Sequence, residues 1–429
     1  MNTTRRDFFR KSAVVYTLVE SGVKLKAAAA NDRVGLGFIG VGVRGMEHFK
    51  AFQEIPGARA VAVADLYDGH ITRAREIAKN EIFTTKDYEA VLDRKDVDAV
   101  VIAAPDHWHR KITLDALAAG KHVYVEKPMA WSIEQCREIV AASAKSDRLV
   151  QVGGQGKTTS LIAKARELVK SGALGKVNLI QMENHRNNAE GAWVYAIPPD
   201  ASEQTVDWPR FLGPAPKRAY DPKVFFRWRC WWEYSGGVAT DLFVHLLTAL
   251  NEVMDVEGPS SVVSQGGIYR WDDGRTVPDL MSSVYEYPEG FIAQMYVNLG
   301  NSHSKDDLLI MGSEGSLSIA PGKLTLYPEP VFSEVQHYAT ACWPEAMRKQ
   351  YFDSMAKPAR ASKPVQEIKV EENPSHQEYF ILSLRNGTPS KETALDGYHA
   401  AGAAHLANIA YRKGRRAHWD IGTGKVTLS

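Results

Sequence analysis

The sequence predicts an α/β protein: a doubly wound parallel sheet at the N-terminus, followed by an α+β domain with a large, mainly antiparallel open sheet. Three observations lead to this class. Apolar runs alternate with helical patterns up to about residue 154, a glycine-rich loop follows the first run, and later strand patterns alternate apolar and polar residues. A length of 429 residues also exceeds one ordinary core, which favours two domains.

The expected N-terminal domain spans residues 31–154. Its first strand, Val34–Ile39, is an apolar run typical of a strand buried on both faces. Further strands are predicted at 60–64, near Phe83, at 97–103, at His122–Val125 and at 149–152. Helices are predicted between them at 46–53, 71–79, 87–92, 108–119 and 132–145. This alternation is typical of a parallel sheet with helices on both faces.

The expected C-terminal domain spans residues 155–429. A helix at 161–171 and a strand at 177–183 precede an irregular stretch, 187–234, that is rich in proline and aromatic residues. Alternating residues predict antiparallel strands at 261–266, 281–287, 291–299 and Leu308–Gly312. Residues 321–375 are predicted to be surface loops, and 394–412 a final helix.

A Gly-x-Gly-x-x-Gly loop joins the first strand to the first helix. Gly40 permits the tight turn, Gly42 admits a pyrophosphate against the backbone, and Gly45 lets the helix pack on the strand. Asp65 ends the second strand, where it would accept hydrogen bonds from ribose hydroxyls, and no arginine follows it to bind a 2′-phosphate. The pattern predicts a Rossmann domain that binds NAD in preference to NADP. The expected contacts on the loop are Gly40, Gly42, Val43, Arg44 and Gly45.

Polar residues follow two later strands, at the edge where open α/β sheets bind ligands. One run is Pro105-Asp106-His107-Trp108-His109 and the other is Glu126-Lys127-Pro128. Structural roles compete with ligand binding here: Asp106 as a helix N-cap and Pro128 as a strand terminator. The further cofactor contacts predicted from these runs are Pro105, His107, His109, Glu126 and Lys127.

Residues 238–251 are predicted to form a helix that is apolar on nearly every side. Asp241 and His245 are four residues apart in it and therefore share one face. A carboxylate and an imidazole are costly to bury unless they are paired or used. They are either a structural pair in the core or part of a catalytic site.

The motifs resemble the Gfo/Idh/MocA family of oxidoreductases. The resemblance rests on the glycine loop, the Glu126-Lys127-Pro128 triplet and a Gly-Gly-x-x-x-Asp-x-x-x-His run that ends at His245, and it extends from about Arg33 to the C-terminus. It implies an NAD(P)-dependent enzyme that moves hydride between a sugar or polyol hydroxyl and the nicotinamide. Lys127 would lie beside both, His245 would be the acid–base group, and Asp241 would lie near it. A base role for Lys127 stays open.

The same resemblance implies that the C-terminal sheet supplies the substrate pocket and often an oligomer interface. A homo-oligomer, either a dimer or a tetramer, is therefore expected.

Residues 225–234 contain six aromatic side chains just before the helix that carries Asp241. Aromatic faces suit the C–H faces of a sugar ring, but core packing or subunit contact is an equal alternative. A carbohydrate or polyol substrate is favoured by the resemblance. The expected substrate contacts are Arg227, Trp228, Trp231 and Trp232, with Gln155, Lys157, His185, Arg186 and Asn187.

Two other functions remain open. One is a redox-neutral, NAD-dependent glycosidase, in which a ring hydroxyl is oxidised transiently, the glycosidic bond is eliminated, water adds and the ketone is reduced again. The other is a non-catalytic sugar or NAD sensor. The presence of Lys127, Asp241 and His245 together argues against a sensor.

Composition excludes several classes of function. The formal net charge of +1 and the scattered Lys and Arg residues give no indication of nucleic acid or an anionic membrane surface as a partner. Cys136, Cys230 and Cys342 are too few and too widely spaced for a disulfide framework or a zinc site, so no metal is expected. No apolar run reaches the roughly 20 residues that span a bilayer.

Residues 1–30 are predicted to be a twin-arginine export signal. Thr4-Arg5-Arg6-Asp7-Phe8-Phe9 carries the arginine pair, 12–23 is moderately apolar, and Ala28-Ala29-Ala30 offers a cleavage site. Export predicts a periplasmic protein with a tightly bound NAD, because free cofactor is scarce outside the cytoplasm. Charges in 20–26 depart from the pattern, and an uncleaved arm on a neighbouring subunit of a cytoplasmic protein is the alternative.

Overall fold

The computed structural model describes residues 33–303, 308–330, 336–355 and 363–429. The predicted export signal at 1–30 lies outside the described residues. Two sheets organise the chain, and both belong to the predicted α/β class.

The first sheet has six parallel strands in the order β3-β2-β1-β4-β5-β6. This doubly wound order is that of a Rossmann fold, with its switch point between β1 and β4. The strands are β1 (Val34–Ile39), β2 (Ala58–Ala64), β3 (Phe83–Thr85), β4 (Ala99–Ile102), β5 (His122–Val125) and β6 (Val150–Val152). The helices between them are α1 (Val43–Gln53), α2 (Asp68–Ile77), α3 (Tyr88–Leu92), α4 (Asp106–Ala118) and α5 (Ile133–Ser143).

Burial on both faces explains why these strands read as unbroken apolar runs. Every residue of β4 is buried, so its sequence shows no alternation. On one face Phe38 of β1 packs edge-on against Phe49 of α1, with ring centroids 5.1 Å apart. The core of this sheet therefore fixes the glycine loop, which lies directly between those two residues.

The second sheet has ten strands in the order β14-β13-β12-β11-β7-β10-β9-β8-β15-β16. The β7–β10 pair is parallel and the other pairs are antiparallel. Buried and more exposed residues alternate along β9 and β10, so one face is packed and the other faces outward. The strands are β7 (Val177–His185), β8 (Ser261–Gly267), β9 (Leu280–Tyr287), β10 (Phe291–Asn298), β11 (Leu308–Gly312), β12 (Gly315–Ala320), β13 (Lys323–Pro328), β14 (Gln366–Ile368), β15 (Ala417–Asp420) and β16 (Lys425–Leu428).

Helices cover the inner face of this sheet and connect it to the first. They are α6 (Ser160–Lys170), α7 (Trp208–Leu212), α8 (Pro222–Phe226), α9 (Val244–Met254), α10 (His337–Thr340), α11 (Glu345–Ser354), α12 (His376–Asn386) and α13 (Ala394–Lys413). Helix α13 packs against β8 and α9 and also against α5, so it holds the two sheets together. No helix in the described parts of the chain is long and apolar enough to cross a membrane.

The prediction of loops at 321–375 is wrong, because β13, α10, α11 and β14 lie there. Helix α12 was not predicted. It begins at a capping box of Ser375 and Glu378, and its Phe380 ring packs 5.6 Å from that of Tyr124 in β5. Its stability thus comes from the first sheet, which local sequence does not reveal. The strands β15 and β16 also follow α13, so that helix is not the final element.

Candidate active site

A cavity of about 370 Å³ opens at the carboxyl ends of β1, β2 and β4. This is the crevice in which open α/β sheets bind ligands. On the sheet side its wall includes Gly40, Asp65, Ala103 and Pro105. The opposite wall is aromatic and comes from the second half of the chain: Tyr195, Phe211, Phe225, Phe226 and Trp228, with Arg229 beside them.

The glycine loop leaves room for a ligand at one of its glycines. Gly40 has a φ of +84°, and a Cβ there would lie 2.7 Å from the Ala103 carbonyl oxygen. A Cβ on Gly45 would overlap the Gly40 carbonyl oxygen. Gly42 lines the cavity, and the nearest atom to a Cβ there is on His70, at an ordinary contact distance of 3.5 Å. Packing therefore explains Gly40 and Gly45, whereas Gly42 makes no close protein contact and lines the cavity, which suits a ligand against its backbone.

Donors and acceptors in the cleft fit a dinucleotide. Gly42 provides no side-chain cap for α1, so the first amides of that helix are available to a pyrophosphate. Asp65 accepts hydrogen bonds from the amides of Val41 (2.7 Å) and Tyr67 (2.9 Å) and lies 3.1 Å from His70 Nδ1. Burial alone would raise the pKa of Asp65, but His70 and the amides of Tyr67 and Val41 together outweigh burial, and the pKa is lowered. The ionised carboxylate suits ribose hydroxyls and repels a 2′-phosphate.

A buried ion-pair cluster lies where β5 ends and the chain enters α9. Lys127 Nζ donates to Asp241 Oδ1 at 2.9 Å and to the Asp241 carbonyl at 2.7 Å. Arg229 Nε donates to the same Oδ1 at 3.1 Å. Burial alone would raise the pKa of Asp241, but Lys127 and Arg229 hold it well below its ordinary value. Asp241 is therefore ionised, and it holds both cations in place.

Asp241 lies in a π-helical turn, Ala239–Phe243, that runs directly into α9. One continuous α-helix was predicted here, and its first part is wrong; π turns are frequent at functional sites. His245 is half-buried, and its ring nitrogens have no hydrogen-bond partner among the described residues. Burial and then the charge of Lys127 lower the pKa of His245 to about 3, so the imidazole is neutral at neutral pH.

Asp106 faces the same cluster. It is the first residue of α4, so the predicted N-cap position belongs to Pro105 instead. The side chain is buried, and its Oδ2 accepts a hydrogen bond from the Gly236 amide at 3.4 Å. Burial raises the pKa of Asp106 to about 7, with Arg229 and Asp241 acting in opposite directions. A carboxyl group that is only partly ionised at neutral pH therefore lies next to the ion pair.

Glu126 is held in a network beneath the glycine loop. Its Oε1 accepts hydrogen bonds from Arg44 Nε (3.1 Å) and Gln155 Nε2 (3.0 Å) and lies 2.6 Å from His48 Nε2. The side chains of Arg44 and Glu126 were predicted as cofactor contacts and Gln155 as a substrate contact, but the structure uses them to join the loop to β5. The network fixes the strand end that carries Lys127.

The two histidines predicted as cofactor contacts are buried in the protein interior, away from the cavity wall. His107 Nε2 lies 2.9 Å from the Phe211 carbonyl oxygen. The ring nitrogens of His109 each lie 2.7 Å from a backbone carbonyl, those of Pro128 and Ala104. The histidines thus shape the loops around the cleft, because Nε2 of His107 and both ring nitrogens of His109 are bonded to backbone carbonyls, whereas His107 Nδ1 is buried without a partner among the described residues.

The aromatic run contributes only in part to the cavity. Trp228, one of the predicted substrate contacts, lines it. Trp231 is buried, and Trp232 lies beneath the Arg412 guanidinium at 5.1 Å, outside the cavity wall. Phe225 and Phe226 line the cavity in their place.

The strand β7 separates two predicted substrate contacts. His185 packs against Tyr296 on the outer face of the sheet, with ring centroids 5.2 Å apart. Arg186 follows it and therefore projects to the other face; its charge contributes to the lowered pKa of His245. Asn187 is exposed.

Two further predicted contacts are bonded to protein groups. Lys157 is paired with Glu252 (3.2 Å) and Asp396 (2.8 Å) at the junction of the two sheets. Arg227 Nε donates to the carbonyl of Tyr195 at 2.8 Å, which places it behind the cavity wall.

Sequence reasoning missed Arg229, Asp106 and Tyr195 as site residues. Asp106 lies in the polar run 105–109 and Arg229 in the aromatic run 225–234. Each is next to a residue that was predicted as a contact, and that position could have indicated a role. Tyr195 lies in the irregular stretch and had no signal. Among the residues that the structure describes, no group of three His, Cys, Asp or Glu side chains is placed to hold a metal ion.

A doubly wound sheet, a glycine that lines the cavity just before α1 and an acid directly after β2 define an NAD-binding oxidoreductase scaffold. Residues 34–154 match the model described as oxidoreductase family, NAD-binding Rossmann fold, and residues 210–318 match the GFO/IDH/MocA C-terminal domain. The two matches together cover more than half of the chain. The chain belongs to the Gfo/Idh/MocA family of oxidoreductases.

Relatives and solved structures agree with this assignment. Glycosyl hydrolase family 109 protein 1 of Shewanella sp. strain MR-4 is 31% identical over 175 residues, and the alpha-N-acetylgalactosaminidase of Shewanella oneidensis is 30% identical over 175 residues. Each alignment covers 34% of this chain and 38% of the relative, so the chain spans well under half the length of these curated relatives.

Two solved structures show the same fold over nearly the whole chain. The aldose-aldose oxidoreductase from Caulobacter crescentus, complexed with glycerol, has a TM-score of 0.65 at 19% identity, with 90% of this chain and 99% of that one covered. The WlbA dehydrogenase from Bordetella pertussis, in complex with NADH and UDP-GlcNAcA, has a TM-score of 0.65 at 15% identity, with 90% and 99% covered.

Proposed function

We propose that this oxidoreductase oxidises a hydroxyl group of a sugar or polyol and passes the hydride to a tightly bound NAD. The observation that carries the proposal is His245, a neutral imidazole without a hydrogen-bond partner among the described residues, close to the Lys127–Asp241 pair. The aromatic wall with Tyr195 and Trp228 suits a sugar ring. The names of the relatives, which include glycosidases and an aldose oxidoreductase, support the same substrate class.

In the proposed reaction His245 takes the hydroxyl proton, and the carbon-bound hydrogen leaves as hydride. Bound nicotinamide supplies the hydride acceptor. Lys127 is held as an ammonium by Asp241 and therefore stabilises the developing alkoxide by charge and hydrogen bonding. This geometry favours His245 over Lys127 as the base. Because His245 is half-buried, its proton can then pass to solvent.

The test is the reduction of NAD by the full chain in the presence of simple sugars and polyols, followed by absorbance. We expect His245→Ala to lower kcat/KM by roughly 100- to 10,000-fold while the protein keeps its NAD. His399→Ala, in α13, is the matched control and should retain activity. Near-normal turnover in His245→Ala would refute the assigned base.

A redox-neutral glycosidase is the second candidate, and the similarity to glycosyl hydrolase family 109 proteins favours it. There the same groups would oxidise a ring hydroxyl to a ketone, with hydride passing to NAD, and the acidified carbon next to the ketone would lose its proton as the aglycone leaves from the carbon beyond it. Water would then add to the resulting enone, and the hydride would return to the ketone. Incubation with aryl glycosides and no added cofactor separates the two candidates. Aglycone release without net NADH supports the glycosidase, whereas net NADH without release supports the dehydrogenase.

We also propose that residues 1–30 export the folded protein through the twin-arginine pathway with NAD already bound. The Arg5-Arg6 pair and the alanines before Asn31 support this. Fractionation of cells that express the full chain tests it: the wild type should reach the periplasm, and a double Arg5→Lys, Arg6→Lys variant should remain in the cytoplasm. Equal distribution of both would refute export by this route.

A homo-oligomer is proposed as well, formed through the outer face of the second sheet. Ile292 and Tyr296 on β10 are 45% and 36% exposed there, which supports burial against a second copy. Sedimentation equilibrium should give the mass of a dimer or tetramer, and Ile292→Lys should shift it toward the monomer. A monomeric wild type would contradict the proposal.

A further inference from the structure

Three arginines of the C-terminal domain are each held through the Nε atom alone, and one of them, Arg229, lines the cavity. Arg229 Nε donates to Asp241, Arg227 Nε to the Tyr195 carbonyl, and Arg186 Nε to Asn184 Oδ1 at 3.1 Å. Their terminal nitrogens donate to no group among the described residues. A guanidinium fixed through Nε presents its outer edge in a defined direction, which is the geometry that binds oxyanions in pairs of hydrogen bonds.

Two of these arginines act on the reacting end. Arg229 lines the cavity, and its guanidinium stacks over the Trp228 ring at 4.3 Å. The charge of Arg186 reaches both His245 and Tyr195, and the charge of Arg229 also acts on the pKa of Tyr195. Arg186 leaves the end of β7 toward the inner face of the second sheet, and the π turn that carries Asp241 packs on the neighbouring strand β10.

The carboxylates nearby already have other partners. Glu126 accepts hydrogen bonds from Arg44 and Gln155. Lys127 and Arg229 share the single carboxylate of Asp241. Asp106 is partly neutral at neutral pH, and Arg186 has an amide as its partner. Partly buried charges are normally paired, because their desolvation is costly. A site that keeps unpaired guanidinium edges beside its reacting groups is built for an anion.

We propose that the substrate is a sugar acid whose carboxylate binds between the terminal nitrogens of Arg186 and Arg229. This inference rests on the proposed function and adds the substrate class. The pyrophosphate of NAD has its own donors at the amides of α1, at the glycine-loop end of the cleft. The carboxylate would place the ring against Trp228 and Tyr195, with a hydroxyl toward His245.

The test compares hexuronates with the matching hexoses, in the gluco, galacto and manno series, on the full-length protein loaded with NAD. Reduction of NAD is measured together with equilibrium binding by calorimetry. We expect at least one uronate to exceed its hexose roughly 10-fold or more in kcat/KM and affinity. Arg186→Gln should lower that preference by roughly 10- to 100-fold, and Arg186→Lys should restore part of it.

Arg73→Gln is the matched control, because it removes the same charge at an exposed position on α2 that does not line the cavity. It should leave the preference unchanged, and all variants should retain NAD. Hexoses that match or exceed the uronates would overturn the sugar-acid assignment and leave the proposed function standing. A preference for glucose 6-phosphate over the uronates would overturn the sugar-acid assignment and identify the bound anion as a phosphate. Loss of NAD from Arg186→Gln would assign the arginine to the cofactor and overturn the inference. No reaction or binding with any sugar would count against the proposed function itself.

Discussion

The two ends of the cleft are built in different ways. The cofactor end comes from one short stretch, in which Gly40, Gly42 and Gly45 follow β1 and Asp65 ends the neighbouring strand β2. The substrate end combines α4, the end of β5, the end of β7, the aromatic run and the π turn before α9. Packing of backbone determines the first, and balance of buried charge determines the second. A mutation at the cofactor end should therefore change cofactor binding or folding. A mutation at the substrate end should change turnover and its pH dependence.

Lys127→Met should break the substrate end most severely. It removes the cation that stabilises the developing alkoxide and leaves Asp241 paired with Arg229 alone. We expect kcat to fall by roughly 1,000-fold or more, with NAD content unchanged, because the glycine loop is untouched. Lys164→Met, at an exposed position on α6, is the control. Loss of NAD from Lys127→Met would contradict the separation of the cleft into a cofactor end and a substrate end.

Asp106→Asn should stabilise the protein at high pH, because the buried carboxylate of Asp106 at the substrate end lowers the stability of the wild type when it ionises. The pKa of Asp106 rises from 3.8 to about 7 on folding, so the folded protein binds more protons between these pH values and its stability falls as pH rises. Asparagine cannot ionise. The free energy of unfolding of the variant should therefore exceed that of the wild type by roughly 2 to 4 kcal/mol at about pH 8, and the two should be almost equal near pH 4.

Urea unfolding across this pH range measures the difference. Asp272→Asn, at an exposed position, should show no comparable trend. A pH-independent difference for Asp106→Asn would mean that folding does not raise the pKa of Asp106, and the charge balance described for the cluster would be wrong.

Two glycine substitutions separate packing from ligand binding at the cofactor end. Gly45→Ala should lose roughly 1 to 3 kcal/mol of stability, because its Cβ overlaps the Gly40 carbonyl oxygen. Gly42→Ala should change stability by no more than about 0.5 kcal/mol, since its Cβ meets only an ordinary contact with His70. It should nevertheless release NAD. Thermal unfolding and the NAD content of the purified proteins distinguish the two, and equal destabilisation would contradict the difference in packing.

Asp65→Asn should have the smallest effect. The amide keeps much of the shape but loses the charge that attracts ribose hydroxyls and repels a 2′-phosphate, so NAD affinity should fall about 10-fold and the preference over NADP should narrow. Asp68→Asn, three residues on and exposed, is the matched control. Titration of cofactor-free protein with NAD and with NADP measures the two dissociation constants. Unchanged discrimination between NAD and NADP would remove Asp65 from the ribose site.

Sequence reasoning was accurate where the signal is local. The strand Leu308–Gly312 and the start of the long helix at Ala394 were placed correctly, because alternation and capping lie within a few residues. It failed for α12, whose apolar side pairs with the first sheet more than two hundred residues away. It also failed for His107 and His109, since a polar run after a strand looks the same whether it faces the ligand or the interior.

The sequence by itself determined the doubly wound sheet, the glycine loop, Asp65 and the candidate group Lys127, Asp241 and His245. The sheet, the loop and the shared helix face of Asp241 and His245 follow from short-range rules: apolar period, the steric freedom of glycine and residue spacing. The roles of Lys127 and His245 came from the family resemblance of their motifs. Only the tertiary structure decided that Lys127 and Arg229 share the carboxylate of Asp241 and that Asp106 lies beside them. It also decided that Arg186 and Arg229 donate through Nε and leave their terminal nitrogens available. Charge state and partner depend on burial and on distant segments that meet in space, and neither is encoded within a single stretch of sequence.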